Sequence, residues 1–194
     1  MTITVQPLYR PVSYSRVTLT ELMIPSYANF GGKIHGGILL SLMDKVAYAA
    51  ASKHAGAYCV TVSVDGVNFL QPVEVGELVS LLASVNYVGR TSLLVGIKVI
   101  AEDVRTGSVK HTNTCYFTMV AKDDDGKPAL VPGLELESVE DTRRFMEAIK
   151  RREFKARYSQ EFDNARTTLA VESQQYDLEQ ERCRLTYTSG TSAK

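Results

Sequence analysis

The sequence predicts an α+β domain in which a curved antiparallel sheet wraps one long central helix. Three observations in the 194 residues lead there. The run from Gly36 to about Gly56 carries apolar side chains around most of a helical circumference. One strand-like segment precedes it. Four segments of alternating polarity follow, with no second helix between them. A helix that is apolar nearly all round must be enclosed, and one way is for a small sheet to curve over it.

The first strand is expected over Tyr14–Ile24, where Pro25 ends it. Ser26–Gly37 is a glycine-rich loop leading into the helix. Cys59–Leu70 reads as a strand with Val60, Val62 and Val64 on one face. The phase flips at Gly66, so a β-bulge is expected there. Glu77–Val88 places Val79, Leu81, Ala83, Val85 and Tyr87 together. Thr91–Val104 does the same with Leu93, Val95, Ile97 and Val99, and Val109–Ala121 with Cys115, Phe117 and Met119. Gly89-Arg90 suits a two-residue type II′ hairpin turn. Arg105-Thr106-Gly107-Ser108 and Asp123-Asp124-Asp125-Gly126 are turns. A sheet this small leaves edges, which favours assembly of two or more subunits.

Residues 1–134 make this domain. Ser138-Val139-Glu140-Asp141 resembles a capping box and opens a helix over 135–158. Its apolar stripe is narrow (Val139, Phe145, Met146, Ile149). Its other positions are rich in Arg and Lys, which read as a solvated face. Residues 159–194 are polar and weakly patterned, and disorder is expected from Thr186 to Lys194.

Bulk composition narrows the function. The formal net charge is zero, so nothing draws the chain as a whole to nucleic acid or membrane. Cys59, Cys115 and Cys183 are too few and too scattered for a disulfide framework. Cys59 and Cys115 read as buried thiols in a reducing compartment. No signal peptide is visible in Met1–Pro7, and no run reaches the ~20 apolar residues of a membrane span. A cytoplasmic protein is expected.

Asp44 stands out. It lies at the margin of the helix's apolar arc, and the positions three and four away (Leu40, Ser41, Ala47, Tyr48) offer no cation. A carboxylate there is solvated at the rim, held by a tertiary hydrogen bond, or functional. Burial beside Leu40 and Ala47 would make it a better base than a surface aspartate. The loop Asn29-Phe30-Gly31-Gly32-Lys33-Ile34-His35-Gly36-Gly37 runs straight into the helix. A helix N-terminus exposes unpaired N–H groups, which suit a developing oxyanion. A flexible loop with glycines at positive φ explains the same residues.

Other motifs are absent. Gly-Gly-Lys-Ile lacks the Ser or Thr of a phosphate loop, and no Gly-x-Ser-x-Gly elbow accompanies His35-Gly36-Gly37. His35, His54 and His111 lack metal-ligand spacing, so no metal is expected. His54 suits the helix C-terminal dipole. Asn113 shares the phase of Cys115 and Phe117. Its buried amide needs a partner, either a neighbouring strand or a pantetheine amide.

Read as Asn-x-x-Gly-x-x-x-Gly-Gly-x-x-x-x-x-x-Asp, Asn29–Asp44 resembles the loop and central helix of hotdog-fold acyl-CoA thioesterases. The similar subgroup is that of the small bacterial acyl-CoA hydrolases and the animal brain-type enzyme. Val64-Asp65-Gly66-Val67-Asn68-Phe69, Pro72-Val73 with Gly76, Val88-Gly89-Arg90-Thr91-Ser92 and Thr112-Asn113-Thr114-Cys115-Tyr116-Phe117 match in order. The resemblance covers about residues 12–133.

It implies a hotdog fold and hydrolysis of acyl-CoA to free acid and CoA. No cofactor is implied beyond the coenzyme A of the substrate. Asp44 would activate water or attack the thioester. Asn29, from across a dimer interface, would orient the water or the carbonyl. The N–H of Gly37, with Gly36 nearby, would polarise the carbonyl. Arg90, Thr91, Ser92 and Asn113 would meet coenzyme A. The resemblance further implies a dimer assembled as a trimer of dimers. Two rivals stay open: a hotdog module that binds acyl-CoA without cleaving it, and a hydratase or dehydratase acting on thioesters. The latter uses a histidine, and none lies one turn from Asp44.

Overall fold

The computed structural model describes residues 8–168, 181–184 and 186. The readings for Met1–Pro7, and for Thr186–Lys194 beyond Thr186 itself, fall outside the described residues. The chain divides into two compact units, up to Ile149 and from Lys150.

The first unit contains the expected helix, α2 (Gly36–Ala55), and a five-stranded antiparallel sheet. The strands are β2 (Val17–Leu22), β3 (Tyr58–Asp65), β4 (Glu77–Val88), β5 (Ser92–Asp103) and β6 (Ser108–Lys122), in the order β2-β4-β5-β6-β3. The fold class is as the sequence predicts. Leu39, Leu42, Met43, Val46, Ala47, Ala50 and Ala51 of α2 are buried against Val79, Leu81, Val85, Val95, Ile97 and Phe117 of the sheet. Each large apolar side chain buried this way contributes about 1.5–3 kcal/mol. Gly56 ends the helix at φ 67°, and its N–H donates to the Ser52 carbonyl (2.8 Å).

The sheet covers only one side of the helix. Leu40, Asp44 and Tyr48, four residues apart, form an exposed stripe along the other side. The all-round burial expected from composition is therefore not supplied by a single chain.

Three further expectations need correction. Tyr14–Ile24 is not one strand, because Val12–Ser15 make a helical turn, α1, before β2 begins. Ser15 fixes that turn from a fully buried position. Its hydroxyl donates to the Val12 carbonyl (2.7 Å) and accepts the Val85 N–H (2.9 Å). The strand from Cys59 does not reach Leu70. It ends at Asp65, and Gly66 (φ 69°) turns the chain away. Its bulge lies between Thr61 and Ser63 instead, which leaves Val62 61% and Val64 42% exposed on an edge strand. The β4–β5 hairpin turns one residue later than expected. The Gly89 N–H donates to the Ser92 carbonyl (2.8 Å), so Arg90 and Thr91 form the tip. A Cβ on Gly89 would meet the Ser92 hydroxyl at 2.7 Å, so the glycine answers close approach and not a II′ conformation.

Two three-residue strands, β1 (Tyr9–Pro11) and β7 (Gly133–Glu135), pair in parallel. They are too short to show a period in the sequence. Helix α3 (Val139–Thr168) starts at Ser138, whose hydroxyl accepts the Asp141 N–H (3.1 Å), as the capping box predicts. It runs ten residues past the expected end at 158. Arg143 and Arg144 hold the Glu140 carboxyl down at about 2, an exposed cluster within the helix. In the second unit, Tyr158 and Phe162 stack at 5.8 Å. Cys59 and Cys115 are buried thiols; burial pushes Cys115 up to about 12.

His54 does not serve the helix dipole as a cation. It is fully buried, and its Nε2 faces the Pro132 carbonyl at 3.1 Å. A carbonyl only accepts, so Nε2 carries the proton and Nδ1, also buried, has no partner. Burial lowers the pKa of His54, and the Arg10 guanidinium works in the same direction against the Pro132 hydrogen bond. The unfolded chain therefore binds this proton more readily than the folded one. Stability is full above the ordinary histidine value of about 6.5 and declines as pH falls below it. Urea unfolding of the parent should show a lower midpoint at pH 5.5 than at pH 8, and a His54→Gln variant should lose part of that difference. An equal pH difference in both proteins would refute the assignment.

Candidate active site

The loop before α2 is tied down. The Asn29 Oδ1 accepts from the Gly31 N–H (2.8 Å) and the Lys33 N–H (3.2 Å), while the Asn29 N–H donates to the Lys33 carbonyl (2.7 Å). The Ile34 N–H donates to the Val73 carbonyl (2.9 Å) and the His35 N–H to the Tyr27 carbonyl (2.8 Å). Only Gly32 of the loop glycines adopts positive φ (76°). Asn29 thus uses its carbonyl oxygen to shape its own loop, which leaves the amide NH2 to donate outward from an exposed position.

Gly36 and Gly37 lie in the first turn of α2, where side chains approach closely. A Cβ on Gly36 would meet the Phe69 ring at 3.4 Å, and one on Gly37 would meet the His35 Nδ1 at 2.9 Å. The expected oxyanion donor differs in one respect from the sequence reading. The Gly37 N–H already donates to the His35 Nδ1 (2.9 Å), which caps the helix. The Gly36 N–H has no partner among the described residues.

Asp44 sits two turns further along α2. It is exposed in the single chain, so the burial beside Leu40 and Ala47 that the sequence suggests is missing. Its partner is tertiary: the Thr61 hydroxyl of β3 donates to Oδ1 at 2.6 Å. That hydroxyl also lies 3.3 Å from the Met119 sulfur, but it has one proton, and the shorter charge-assisted bond claims it. Asp44 also lines an open pocket of about 350 Å³. Val60, Cys59 and Met119 line the pocket, along with Tyr48, Tyr58 and Lys45. The sequence reading missed Thr61. Its signal was a hydroxyl on the polar face of β3, indistinguishable there from any solvated threonine.

The other site residues lie apart. Arg90 is exposed at the hairpin tip; its carbonyl accepts from the Val131 N–H (3.1 Å) and its guanidinium has no partner among the described residues. Thr91 and Ser92 adjoin it, and none of the three lines the Asp44 pocket. Asn113 is buried as its phase predicts. Its Nδ2 lies 3.8 Å from the Met43 sulfur and its Oδ1 has no partner. Among the described residues, no group of three or more His, Cys, Asp or Glu is arranged to hold a metal ion, and no helix is long and apolar enough to cross a membrane.

Residues 31–108 match the model of the thioesterase superfamily. Protein VdlD of Helicobacter pylori is 47% identical over 143 residues, which span 74% of this chain and 82% of that protein. The chain belongs to the thioesterase superfamily. A hexameric acyl-CoA thioesterase superposes with a TM-score of 0.76 at 35% identity, covering 80% of this chain and 98% of the other. The acyl-CoA hydrolase of Staphylococcus aureus, solved with butyryl coenzyme A, coenzyme A and coenzyme A disulfide, superposes at 0.72 with 31% identity, covering 82% and 96%. That enzyme was also solved with an aspartate, a threonine or an asparagine replaced by alanine.

The cap makes a direct prediction. His35→Ala frees the Gly37 N–H and should cost about 1 kcal/mol of stability. Gly37→Ala drives a methyl into the imidazole and should cost a comparable amount. Because both act on one contact, the double variant should lose clearly less than the sum in urea unfolding. Strict additivity would show that His35 does not cap the helix.

Proposed function

We propose that this thioesterase hydrolyses acyl-CoA to free acid and coenzyme A, with Asp44 delivering the attack on the thioester carbonyl. One observation carries the reading: a carboxylate held by Thr61 at 2.6 Å on the lining of an open pocket. A thioester needs little more, since its carbonyl is electrophilic and its thiolate leaves readily. One fixed carboxylate and one N–H donor suffice. Asp44 either deprotonates a water that adds to the carbonyl carbon, or adds there itself to form a mixed anhydride that water then hydrolyses. On both routes the C–S bond breaks, the sulfur leaves as the coenzyme A thiolate, and the acyl group departs as free acid. The residue types replaced in the Staphylococcus aureus enzyme are the types of Asp44, Thr61 and Asn29.

One chain does not make one site. Gly37 and Asp44 are seven residues apart on α2, which separates them by about 10 Å along the axis. A single carbonyl cannot meet both. The arrangement works when Asp44 of one copy faces Asn29 and the helix N-terminus of another. The exposed stripe of Leu40, Asp44 and Tyr48, the edge strand β3 and the fully exposed Phe30 beside Asn29 are surfaces for such a contact. The hexameric relative supports self-association, and a trimer of dimers is the form we infer. Within it, the Gly36 N–H is the donor free to polarise the carbonyl, and the Gly37 N–H becomes available if His35 turns aside. Arg90, exposed and without a side-chain partner among the described residues, is the cation suited to a coenzyme A phosphate.

Asp44→Ala and Asn29→Ala proteins should each fold and each lose at least about a hundredfold in kcat. Dissociating, mixing and reassociating the two should restore roughly a quarter of parental activity, since half of the dimers are mixed and each mixed dimer holds one intact site. Parental activity in Asp44→Ala would refute the mechanism, and no recovery on mixing would refute the shared site. Tight coenzyme A binding with no thiol release by the parent would favour the non-catalytic reading.

A further inference from the structure

The pocket beside Asp44 has a far wall. Tyr48 stands four residues past Asp44 on the same side of α2, about 6 Å along the axis. Tyr58 begins β3, three residues before Thr61. The two rings meet with centroids 6.0 Å apart at 57°, one from the helix and one from the edge strand. Both line the pocket, and Tyr48 lies on the C-terminal side of Asp44 along α2. Val60, Cys59 and Met119 line the same pocket and supply its aliphatic and sulfur-bearing surface.

We propose that Tyr48 and Tyr58 form the stop that limits the acyl chain, and that the enzyme therefore favours short acyl groups. The inference rests on the thioesterase reading and names the substrate class of that same site. Two features assign the pocket to the acyl half of the substrate. Val60, Cys59 and Met119 give its lining apolar surface that suits a hydrocarbon, and of its polar side chains the Thr61 hydroxyl is already committed to Asp44. The hairpin residues Arg90, Thr91 and Ser92, candidates for the coenzyme A arm, are not among its lining. Lys45 is the cation on its lining; flexible and adjacent to exposed surface, it can keep its charge in water while its stem covers the pocket. A chain attached at a carbonyl beside Asp44 has about one helical turn of space before it meets the aromatic pair. Each methylene that must be turned away or left in water reduces transition-state binding.

Both tyrosines are substantially exposed in the single chain, 43% for Tyr48 and 60% for Tyr58, so their truncation should leave its core intact. Because Tyr48 and β3 also lie on the surface proposed for the subunit contact, the oligomeric state of each variant is measured alongside. The experiment measures kcat/KM for butanoyl- to hexadecanoyl-CoA with the full-length parent, Tyr48→Ala, Tyr58→Ala and Tyr48→Phe, together with inhibition by free coenzyme A. The parent should decline with chain length. Either alanine variant should raise the long-to-short ratio by about tenfold or more. Tyr48→Phe should keep the parental profile, since the stop is the ring and not the hydroxyl. Inhibition by free coenzyme A should not change. If the ratio stays at the parental value in both alanine variants, the assignment fails. It fails equally if those variants weaken every substrate and free coenzyme A alike, because the pocket then holds the pantetheine arm. A parent that cleaves no acyl-CoA at all overturns the activity and the stop together, whereas cleavage with an unmoved profile overturns only the stop.

Discussion

The hydrogen bond from Thr61 to Asp44 joins the two halves of the fold at the point where chemistry is possible. Asp44 belongs to the central helix and Thr61 to the edge strand of the sheet. Neither position is set by its neighbours in sequence. The helix is located by its buried side, Leu39 to Ala51, packed on the sheet; the strand is located by its ladder with β6, where Thr61 lies opposite Met119. The bulge that follows Thr61 ends the regular alternation just past the residue that meets the carboxylate. A carboxylate on an exposed helix face would otherwise sample several rotamers. Here Thr61 engages one oxygen of a carboxylate that lines the pocket, the kind of fixed geometry from which a reactive group gains most.

The same packing bears on the proposed pairing with a second copy. The sheet has five strands and two edges, and it leaves one side of α2 bare. That side carries Asp44. The donor end of the helix lies about 10 Å away on the same rigid element. A rigid helix places its groups reliably but cannot bring its own ends together. Two antiparallel copies would solve that problem in the proposed site, where the carboxylate of each would meet the loop and helix start of the other. Exposed apolar groups at Phe30, Val62 and Val64 would then be covered by the contact that completes the site.

Much of this was legible in the residues, and the parts that were not have physical causes. Strands β4, β5 and β6 alternate cleanly because one face is core, so their limits fall within a residue or two of those read from the sequence. The capping box at Ser138 marked the start of α3 because the cap is a local hydrogen bond. Short elements held by distant partners were hidden: α1 depends on Ser15 meeting Val85, seventy residues away, and β1 on pairing with β7. Gly66 misled because a phase flip reads alike for a bulge and for a strand end. At the candidate site, the pattern from Asn29 to Asp44 picked out the loop and helix that carry Asn29, Gly36, Gly37 and Asp44. It could not show that Thr61 would supply the missing partner, that His35 would occupy the Gly37 N–H, or that Asp44 would stand exposed. Those are facts of the folded chain, the first and last set by residues distant in sequence.

The most direct measurement is a crystal structure of the assembled protein with a thioether analogue of an acyl-CoA, which cannot be hydrolysed. The account predicts that the Asp44 carboxylate of one subunit lies within about 3.5 Å of the atom replacing the carbonyl carbon, with Asn29 and the helix start of another subunit on its opposite side. An analogue bound with Asp44 pointing into solvent, or with all of its contacts from one chain, would contradict it.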